Sequence, residues 1–587
     1  MAKRILTRTQ SVTELLVVLV VIVVANGLGN VYYKRFDLSD EKRYTLSKTS
    51  RNLAGKLKEK AYFKLYLDGE MSSRFKRLRN EIRDMAYEFR EASGKKLEIE
   101  VQDPFAGKEK QELSKIMETF AQRGIEPCRD IDNENPDETR IKYLLPGADF
   151  VYAGKTIPVT FFTFDPASDI ETNIKRAIDN IEYEIANALR QCVSDKPKRI
   201  TLSEGSGEML DARLNSFAQD LSKYYSLEAL NMNVADPESG RPFLEEMKKN
   251  PDSAETVLMK GLQQRLNLAD LLMVVKPIKD FSPAELYLID QYLMKGGKIM
   301  WMVDPVHIEI DSFMKAPTVM AMDYGLENIQ SSLFTYGIGL NNDMLTDQTC
   351  NRIPIPAGGR QELVNFMYFP LFTSKGLDHI ITKNMGAVWC QFPATLKPKI
   401  RPDMNIVPLL SSSAYTKVIN APATVELMTS FMQVRDPEYL KTMKGGSQLT
   451  GALLEGKFHS PFVYQKKYSG AFRADGNSKM IVIADGDIAR NYVSSRGGSF
   501  PTGYDRYSQT TFANKKFLLN CVDYLIDDNG LIEIRGKELT LRLLDQTRLR
   551  TEKNYWQMLN LLVPIGIVVL FGSINFAIRR RKYAKAG

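Results

Sequence analysis

The chain has 587 residues, of which 44% are hydrophobic and 26% charged, so most of it is expected to fold in water as three or four domains. The formal net charge is +8, but several of the positive charges lie at the extreme ends, at Lys3, Arg4, Arg8 and residues 579–582. Nucleic-acid binding requires a basic patch on a folded domain, so these end charges indicate membrane topology instead, and we expect no nucleic-acid partner.

The N-terminus combines these basic residues with an apolar run at 15–25. The run could belong to a cleaved signal peptide ending near Ala25, or it could continue through Tyr32 and Tyr33 as a membrane anchor spanning 1–33. We favour the anchor, and cleavage stays open. Either interpretation predicts that residues 34–554 are exported.

The first exported region, 34–195, has the pattern of a small α/β domain. Ser47 is placed to cap a helix, residues 61–67 and 97–101 read as strands, and apolar residues at helical spacing lie between the strands, at Phe75, Leu78, Ile82, Met85 and Phe89. A thioredoxin-like shape without redox cysteines fits this pattern. The region closes with one long helix over 170–189, whose isoleucine stripe is more typical of a core-facing surface than of a partner interface.

A second α/β region, 196–530, is predicted from strand 200–202, a helix with apolar residues from Leu210 to Tyr224, and strand 227–230. Further on, Ser282 and Glu285 form a capping box, the helix stops at Gly296, and a strand follows at 299–303. This is the sequence pattern of a parallel βαβ unit.

Residues 311–470 are rich in Pro, Gly and Ser and predict an irregular insertion. The α/β pattern resumes with a buried strand at 480–484 and a helix at 517–525. Residues 531–554 are charged and predict a linker.

The C-terminal end has no charged residue from Trp556 to Ile578, and four basic residues follow. This length suits one transmembrane helix, 555–578, with the basic tail 579–587 in the cytoplasm. Gly566, Gly572 and Ser573 are small residues of the kind that permit close helix packing in membranes, and Pro564 predicts a kink.

Most catalytic and metal-binding motifs are missing. The sequence has no GxxxxGK[ST], HExxH or GxSxG, and no CxxC pair among its cysteines, which are Cys128, Cys192, Cys350, Cys390 and Cys521. We therefore expect no catalytic residue, no metal and no cofactor. An exported location would permit one or two disulfides, without indicating which.

Polar residues at predicted strand ends form a candidate ligand or partner crevice. Glu204 and Glu208 flank the Gly205-Ser206-Gly207 turn, where they would repel an anion. The other candidates are His307, which follows the strand ending near Asp304, and Asp485 with Asp487. Each also has a structural explanation, as turn-forming or solvated residues.

Several segments resemble the gliding-motility-associated ABC-transporter component GldG of Bacteroidota: YTLSKTS (44–50), YLDG (66–69), FKRL (75–78), LLEGKF (453–458), GYDRY (503–507), ANKKFLLNCVDYL (513–525) and LRLLD (541–545). The resemblance implies a bacterial inner-membrane protein with both termini cytoplasmic and a periplasmic bulk. The implied fold class is α/β, with an amidotransferase-like parallel-sheet domain, a smaller N-terminal α/β domain and one transmembrane helix at each end. The implied partners are a GldF-like polytopic permease and a GldA-like ATPase.

We expect a non-catalytic, membrane-anchored transporter subunit that binds a permease and a periplasmic protein or cargo, in gliding motility or envelope transport. The main alternative is an envelope hydrolase or amidase that uses the strand-end polar residues. A third interpretation is a receptor for a small solute, although two membrane tethers would restrict its docking and release.

Overall fold

A computed structural model describes residues 45–526 with short gaps, residues 552–583, and isolated positions between 13 and 24. The gaps are 126, 133–139, 163, 165–168, 194–197, 250–253, 358–359, 374–376, 378, 384, 464–471 and 495–496. The chain divides into two compact units, Met1–Glu538 and Leu539–Gly587. Most of the predicted anchor 1–33 and most of the linker 531–554 lie outside the described residues.

The first part of unit 1 is an α/β layer. Its strands are β1 (Ala61–Leu65), β2 (Leu97–Val101), β3 (Cys128–Asp132), β4 (Arg140–Leu144), β5 (Gly147–Tyr152) and β6 (Lys155–Thr160). Its helices are α1 (Lys48–Gly55), α2 (Ser73–Ala92), α3 (Lys110–Gln122), α4 (Ile170–Asp179) and α5 (Ile181–Val193). The four-stranded sheet has the order β2-β1-β5-β6, with β1 and β2 parallel, and β3 pairs with β4. The predicted β-α-β opening is confirmed.

The predicted long helix is broken in two. Asn180 ends α4, and its side-chain amide donates a hydrogen bond to the carbonyl of Arg176 at 2.7 Å. Asn competes for backbone hydrogen bonds in this way and so favours helix ends over interiors. The stripe on both helices is buried, at Ile174, Ile178, Ile181, Ile185 and Leu189, which confirms that it faces the core.

The main sheet of unit 1 begins with strands β7 (Arg199–Glu204), β8 (Ser226–Asn231), β9 (Leu271–Val275) and β10 (Lys298–Met302). The helices between them are α6 (Asn215–Ser222), α7 (Pro237–Gly240), α8 (Leu244–Lys249), α9 (Ala254–Leu266) and α10 (Pro283–Met294). The capping box at Ser282 and Glu285 is present, and Gly296 has a φ of +92° after the helix. Helix α6 is shorter than predicted, because residues 211–214 form a turn ahead of it.

The segment predicted as an irregular insertion is rich in strands. The elements from β10 to the end of unit 1 are β11 (Val306–His307), β12 (Thr318–Asp323), α11 (Glu327–Tyr336), β13 (Ile338–Leu340), β14 (Asp343–Asp347), β15 (Cys350–Ala357), β16 (Arg360–Phe372), β17 (Val388–Trp389), β18 (Leu396–Pro398), β19 (Met404–Ser411), β20 (Thr416–Asn420), β21 (Ala423–Glu426), α12 (Leu427–Arg435), α13 (Pro437–Thr442), β22 (Leu449–His459), β23 (Asp475–Ile483), β24 (Tyr504–Asp505), β25 (Thr510–Thr511) and α14 (Asn514–Ile526). The prediction of irregular structure rested on the Pro, Gly and Ser content of the segment, and such content does not by itself exclude strands. Pro354 and Pro356 lie instead within β15, an edge strand, where a missing N–H is tolerated.

The seven-stranded sheet has the order β19-β22-β23-β10-β9-β7-β8. Five strands, from β23 to β8, are parallel, whereas β22 and β19 add antiparallel pairings at one edge. The predicted parallel sheet is thus a mixed one. In chain order the parallel strands run 2-1-3-4-5, so the order reverses between β7 and β9, where open α/β sheets place ligands.

Alternate residues of the central strands supply two separate cores. Ile299, Trp301 and Val303 belong to the cluster on one face of the sheet, whereas Met300 and Met302 belong to the cluster on the other. A strand buried on both faces reads as a continuous apolar run, because neither face meets water. The sheet is therefore the middle layer of three.

Unit 2 contains the helix α15 (Lys553–Tyr583). Its segment Asn554–Ile578 contains an 18-residue stretch with a mean hydropathy of 2.4. Among the described residues it is the one helix long and apolar enough to cross a membrane. Its large apolar side chains are exposed, including Leu561, Val568 and Phe571. Pro564 lies inside the helix, and the basic residues at 579–582 continue it.

Candidate functional site

Three neighbouring strands of the main sheet present polar residues at their carboxyl ends. Lys276 follows β9, Asp304 lies two residues after β10, and Asp485 lies two residues after β23. Lys276 has a φ of +49°, an unusual value for a residue other than glycine. Such strain persists only where surrounding interactions fix it, and it clusters at functional sites.

The Lys276 ammonium group lies close to three carboxylates. Its Nζ is 2.6 Å from Asp487, 3.2 Å from Asp304 and 3.6 Å from Glu309, and the residue is 2% exposed. Burial by itself would lower the pKa of Lys276, but the charges of Asp487 and Asp304 outweigh that effect and raise the pKa. The lysine is therefore a fixed cation.

Backbone N–H groups complete the cluster. Gly486 donates to Asp304 Oδ1 at 2.6 Å, Asp487 donates to Asp485 Oδ1 at 2.7 Å, and Gln391 donates to Asp485 Oδ2 at 2.8 Å. The Asp-Gly-Asp sequence thus forms a buried turn whose carboxylates point into the cluster, in contrast to the solvated turn that composition alone suggests.

The three aspartates differ in their proton affinity. Burial and the neighbouring carboxylates raise the pKa of Asp485 well above its usual value, and burial raises the pKa of Asp304 to about 6. Burial would also raise the pKa of Asp487, but the positive charges of Lys276 and Arg490 lower it. Asp487, at 2.6 Å, is therefore the principal counter-ion of Lys276, while burial favours the protonated form of Asp485.

The carboxylates of Asp304, Asp485 and Asp487 are close enough to ligate a cation, with oxygens within 4.8 Å of one another. The positive charge at this position is supplied by Lys276, which reaches two of the three. A divalent ion would have to displace a buried ammonium group from its salt bridges. The donor set therefore fits an internal ion cluster better than a metal centre.

Glu204 and Glu208 do not join this cluster through any contact among the described residues. Glu208 accepts hydrogen bonds from Ser203 Oγ at 2.6 Å and from the Ser206 N–H at 2.7 Å, so it stabilises its own turn. Glu204 is exposed at the end of β7. Gly207, at a φ of +74°, allows the loop after β9 to pack directly on this turn.

His307 is exposed on β11, and its ring centroid lies 4.9 Å from that of Tyr324. No contact among the described residues joins it to Asp485 or Asp487. Of the five predicted crevice residues, the structure thus brings together only Asp485 and Asp487.

Cys390 is the cysteine that contacts the ion cluster, because its thiol is hydrogen-bonded to Asp485. It is fully buried, and burial raises its pKa well above the usual value, which keeps the thiol protonated and unreactive. All five cysteines are unpaired. The cluster therefore contains no activated nucleophile.

Sequence reasoning missed Lys276, Glu309 and Arg490. Lysine is rarely fully buried unless paired, so its position directly after the apolar strand Leu-Leu-Met-Val-Val was the available signal. The signal for Glu309 and Arg490 was weaker, because both lie in loops whose folding depends on contacts distant in sequence.

A family model described as an ABC-type uncharacterized transport system, an auxiliary component, matches residues 197–521, more than half of the chain. The chain belongs to this auxiliary-component family. The matched residues include the whole ion cluster and all seven strands of the main sheet. Membership supports a non-catalytic, transport-associated role and implies permease and ATPase partners in general terms.

Other comparisons describe the remaining similarity. A domain of unknown function matches residues 40–150. An uncharacterized protein of Borreliella burgdorferi is 22% identical over 563 residues, covering 93% of this chain and 94% of the relative. The solved N-terminal domain of mmIFT52 is 14% identical and is covered over 97% of its length by 56% of this chain, with a TM-score of 0.31, too low for any conclusion about the fold.

Proposed function

We propose that this auxiliary component is a non-catalytic, membrane-anchored subunit that docks on the permease of an ABC transporter and presents an exported α/β body to a periplasmic protein or cargo. The observation that carries the proposal is the Lys276 cluster. Open α/β sheets hold their reactive groups at the carboxyl ends of their strands. In this chain those strand ends carry a buried network of paired charges. Family membership supplies the transport context.

The proposed topology places the bulk of the chain in the periplasm and both termini in the cytoplasm of a bacterial inner membrane. The apolar helix at Asn554–Ile578, followed by basic residues, supports the C-terminal part of this topology. The proposed partners are a GldF-like permease and a GldA-like ATPase, and the proposed context is gliding motility or envelope transport. The resemblance of the quoted segments supports this finer assignment.

The test is affinity purification of the tagged chain from native membranes, followed by identification of the bound proteins. We expect a polytopic permease and an ATPase at stoichiometric levels. The control is the same tag on a chain ending at residue 552, which lacks the apolar helix. Recovery of neither partner with the full chain would refute the proposal.

The hydrolase or amidase alternative depends on Glu204, His307 and Asp485, which no contact among the described residues unites. Glu204→Gln and His307→Gln change two exposed residues and should leave folding intact. Full cellular function in the double variant is the expected result. Loss of function with normal membrane levels and normal partner recovery would favour the enzyme.

A further inference from the structure

A shallow groove shares lining residues with the ion cluster. Its enclosed volume is about 70 Å³ and the rest of it opens to solvent, so it would contact one part of a small ligand and leave the remainder in water. Gln391 and Arg490 line the groove and also contact the cluster, through the Gln391 N–H to Asp485 and the Arg490 guanidinium 3.8 Å from Asp487.

The charged groups in the lining leave positive charge available. Three arginines line the groove: Arg352, Arg490 and Arg506. The two acidic residues there are already engaged, since Asp311 accepts from Arg490 at 2.7 Å and Asp505 accepts from Asn351 at 3.1 Å and from its own turn.

Arg506 is held by aromatic rings. Its guanidinium lies 4.7 Å from the ring centroid of Tyr492 and 4.5 Å from that of Tyr507, and it donates to the Tyr507 hydroxyl. Among the described residues no carboxylate pairs with it. A stacked guanidinium has a fixed plane, so its unused N–H groups are oriented in advance for a planar or tetrahedral anion.

One buried donor in the lining, Trp389 Nε1, has no hydrogen-bond acceptor among the described residues. Buried donors are normally satisfied, so this one needs an explanation. The walls beside it are aromatic, including Phe369 and Tyr504. Donors and cations next to flat apolar walls match a ligand that has both an anionic group and a ring.

We propose that this groove binds a small organic anion, a phosphate monoester or a carboxylate, that carries an aromatic ring. Arg506 and the Trp389 indole N–H would hold the anionic group, and the aromatic walls would contact the ring. The assignment rests on the proposed cargo-presenting role of the exported body and names the chemical class of the cargo or signal that the body recognises.

The experiment measures binding to the purified full chain in detergent, by calorimetry and by thermal stabilisation. The probes are phenyl phosphate, phenylacetate, inorganic phosphate and benzyl alcohol. We expect at least one of the two ring-bearing anions to bind at least about tenfold more tightly than inorganic phosphate and benzyl alcohol, and the better of the two identifies the anionic group.

Arg506→Gln should weaken binding of that probe by about tenfold or more, because it removes a charge-assisted hydrogen-bond donor. The matched control is Arg241→Gln, which removes a 71% exposed arginine paired with Glu238 on a distant helix and should leave binding unchanged. If Arg506→Gln fails to fold, Arg506→Lys keeps the charge but loses the planar donor, and an intermediate loss is expected.

Absence of binding by both ring-bearing anions would overturn the assignment. Equally tight binding of benzyl alcohol, or equal effects of the Arg506 and Arg241 substitutions, would also overturn it. Recovery of permease and ATPase is measured separately and does not depend on this ligand, so failure here is distinguishable from failure of the proposed transporter role.

Discussion

At the residue scale, Lys276 determines what the carboxyl edge of the main sheet can do. Its left-handed backbone brings its side chain into contact with three carboxylates, two of them from other strand ends and one from the loop after β11. A non-glycine residue at positive φ costs on the order of 1–3 kcal/mol. The salt bridges of Lys276 offset this cost and stabilise the carboxyl edge of the main sheet. Because they pair the charged groups there, those groups are less able to react.

Lys276→Met tests this role. The substitution keeps a side chain of similar length but leaves Asp487 and Asp304 buried without their cation, and we expect the free energy of unfolding to fall by roughly 3–5 kcal/mol. Chemical denaturation of the detergent-solubilised chain measures this change. The control, Lys60→Met, removes an exposed partner of Glu98 and should leave the denaturation midpoint unchanged. Equal effects of both substitutions would contradict the role of Lys276.

Asp304 predicts a pH dependence with a definite sign. Its pKa is about 6 in the folded chain and 3.8 in the unfolded chain, so between these values the folded state binds more protons than the unfolded state. Stability therefore falls as pH rises from about 4 to about 6, by at most about 3 kcal/mol from this group. Comparing Asp304→Asn with the native chain across this window isolates the contribution, because the variant should lack this decline. Parallel profiles for the two proteins would contradict it.

At the element scale, Gly207 shows how a turn fixes the approach of two loops. A Cβ at this position would lie 2.5 Å from Ile278 Cγ1, on the loop after β9, and the φ of Gly207 is +74°. The Ile278 N–H also donates to the Ser206 carbonyl at 3.2 Å. The switch point between β7 and β9 is thus closed by direct packing of one loop on the other.

Gly207→Ala should destabilise the chain by more than the backbone strain alone. The matched control is Gly446→Ala, which has the same φ of +74° but nothing within 4 Å of the added Cβ. We expect about 1 kcal/mol from Gly446→Ala and roughly 1–3 kcal/mol more from Gly207→Ala, measured by denaturation. Equal losses would mean that the close approach contributes nothing.

Local chemistry made some elements predictable. The capping box at Ser282 and the glycine at 296 fixed the bounds of α10 because each acts within one turn of helix. The strands between 311 and 470 were not predictable, because strands such as β19 and β22 pair across about 45 residues and carry no local signal of that pairing. The break at Asn180 had a local signal, the Asn itself, which the continuous isoleucine stripe concealed.

The candidate site was predictable only in part, for the same reason. Asp485 and Asp487 follow a buried strand, and parallel strands bring their carboxyl ends to one edge. The approach of Lys276 depends on the order of strands in the sheet, which a single sequence does not reveal. His307 was placed correctly after a strand, but β11 pairs with β12 and carries its side chain to an exposed position.

At the scale of the whole molecule, Asp523 links the two α/β parts of unit 1. Its carboxylate accepts hydrogen bonds from the hydroxyls of Tyr183, on α5, and Tyr225, beside the main sheet, and Arg190 lies 4.0 Å away. Burial and Asp523 both raise the pKa of Tyr225, which keeps its hydroxyl protonated as a donor. The Asp523 side chain, on α14, therefore connects the part that contains α5 to the part that contains the main sheet.

Asp523→Ala should uncouple these parts. Removing the carboxylate leaves the hydroxyls of Tyr183 and Tyr225 without this acceptor and Arg190 without this negative charge. Calorimetry should then show two separate unfolding transitions in place of one. The control is Asp475→Ala, which removes an exposed partner of Lys457 and should preserve a single transition. A single transition in Asp523→Ala would refute the linking role.

In the proposed complex, the helix α15 would pack against the permease. Gly566 and Ser573 are seven residues apart, so at roughly 100° per residue they lie on one face, while Gly572 lies about 100° around from Ser573. A Cβ at Gly566 would meet nothing within 4 Å, which leaves this face open for a partner helix. Without a hydrophobic driving force in lipid, helix association depends on such close packing.

Gly566→Leu should therefore lower permease recovery several-fold without lowering the membrane level of the chain. The control, Val568→Leu on the opposite face, should leave recovery unchanged. Loss of recovery with Gly572→Leu but not with Gly566→Leu would place the contact on the other small-residue face instead.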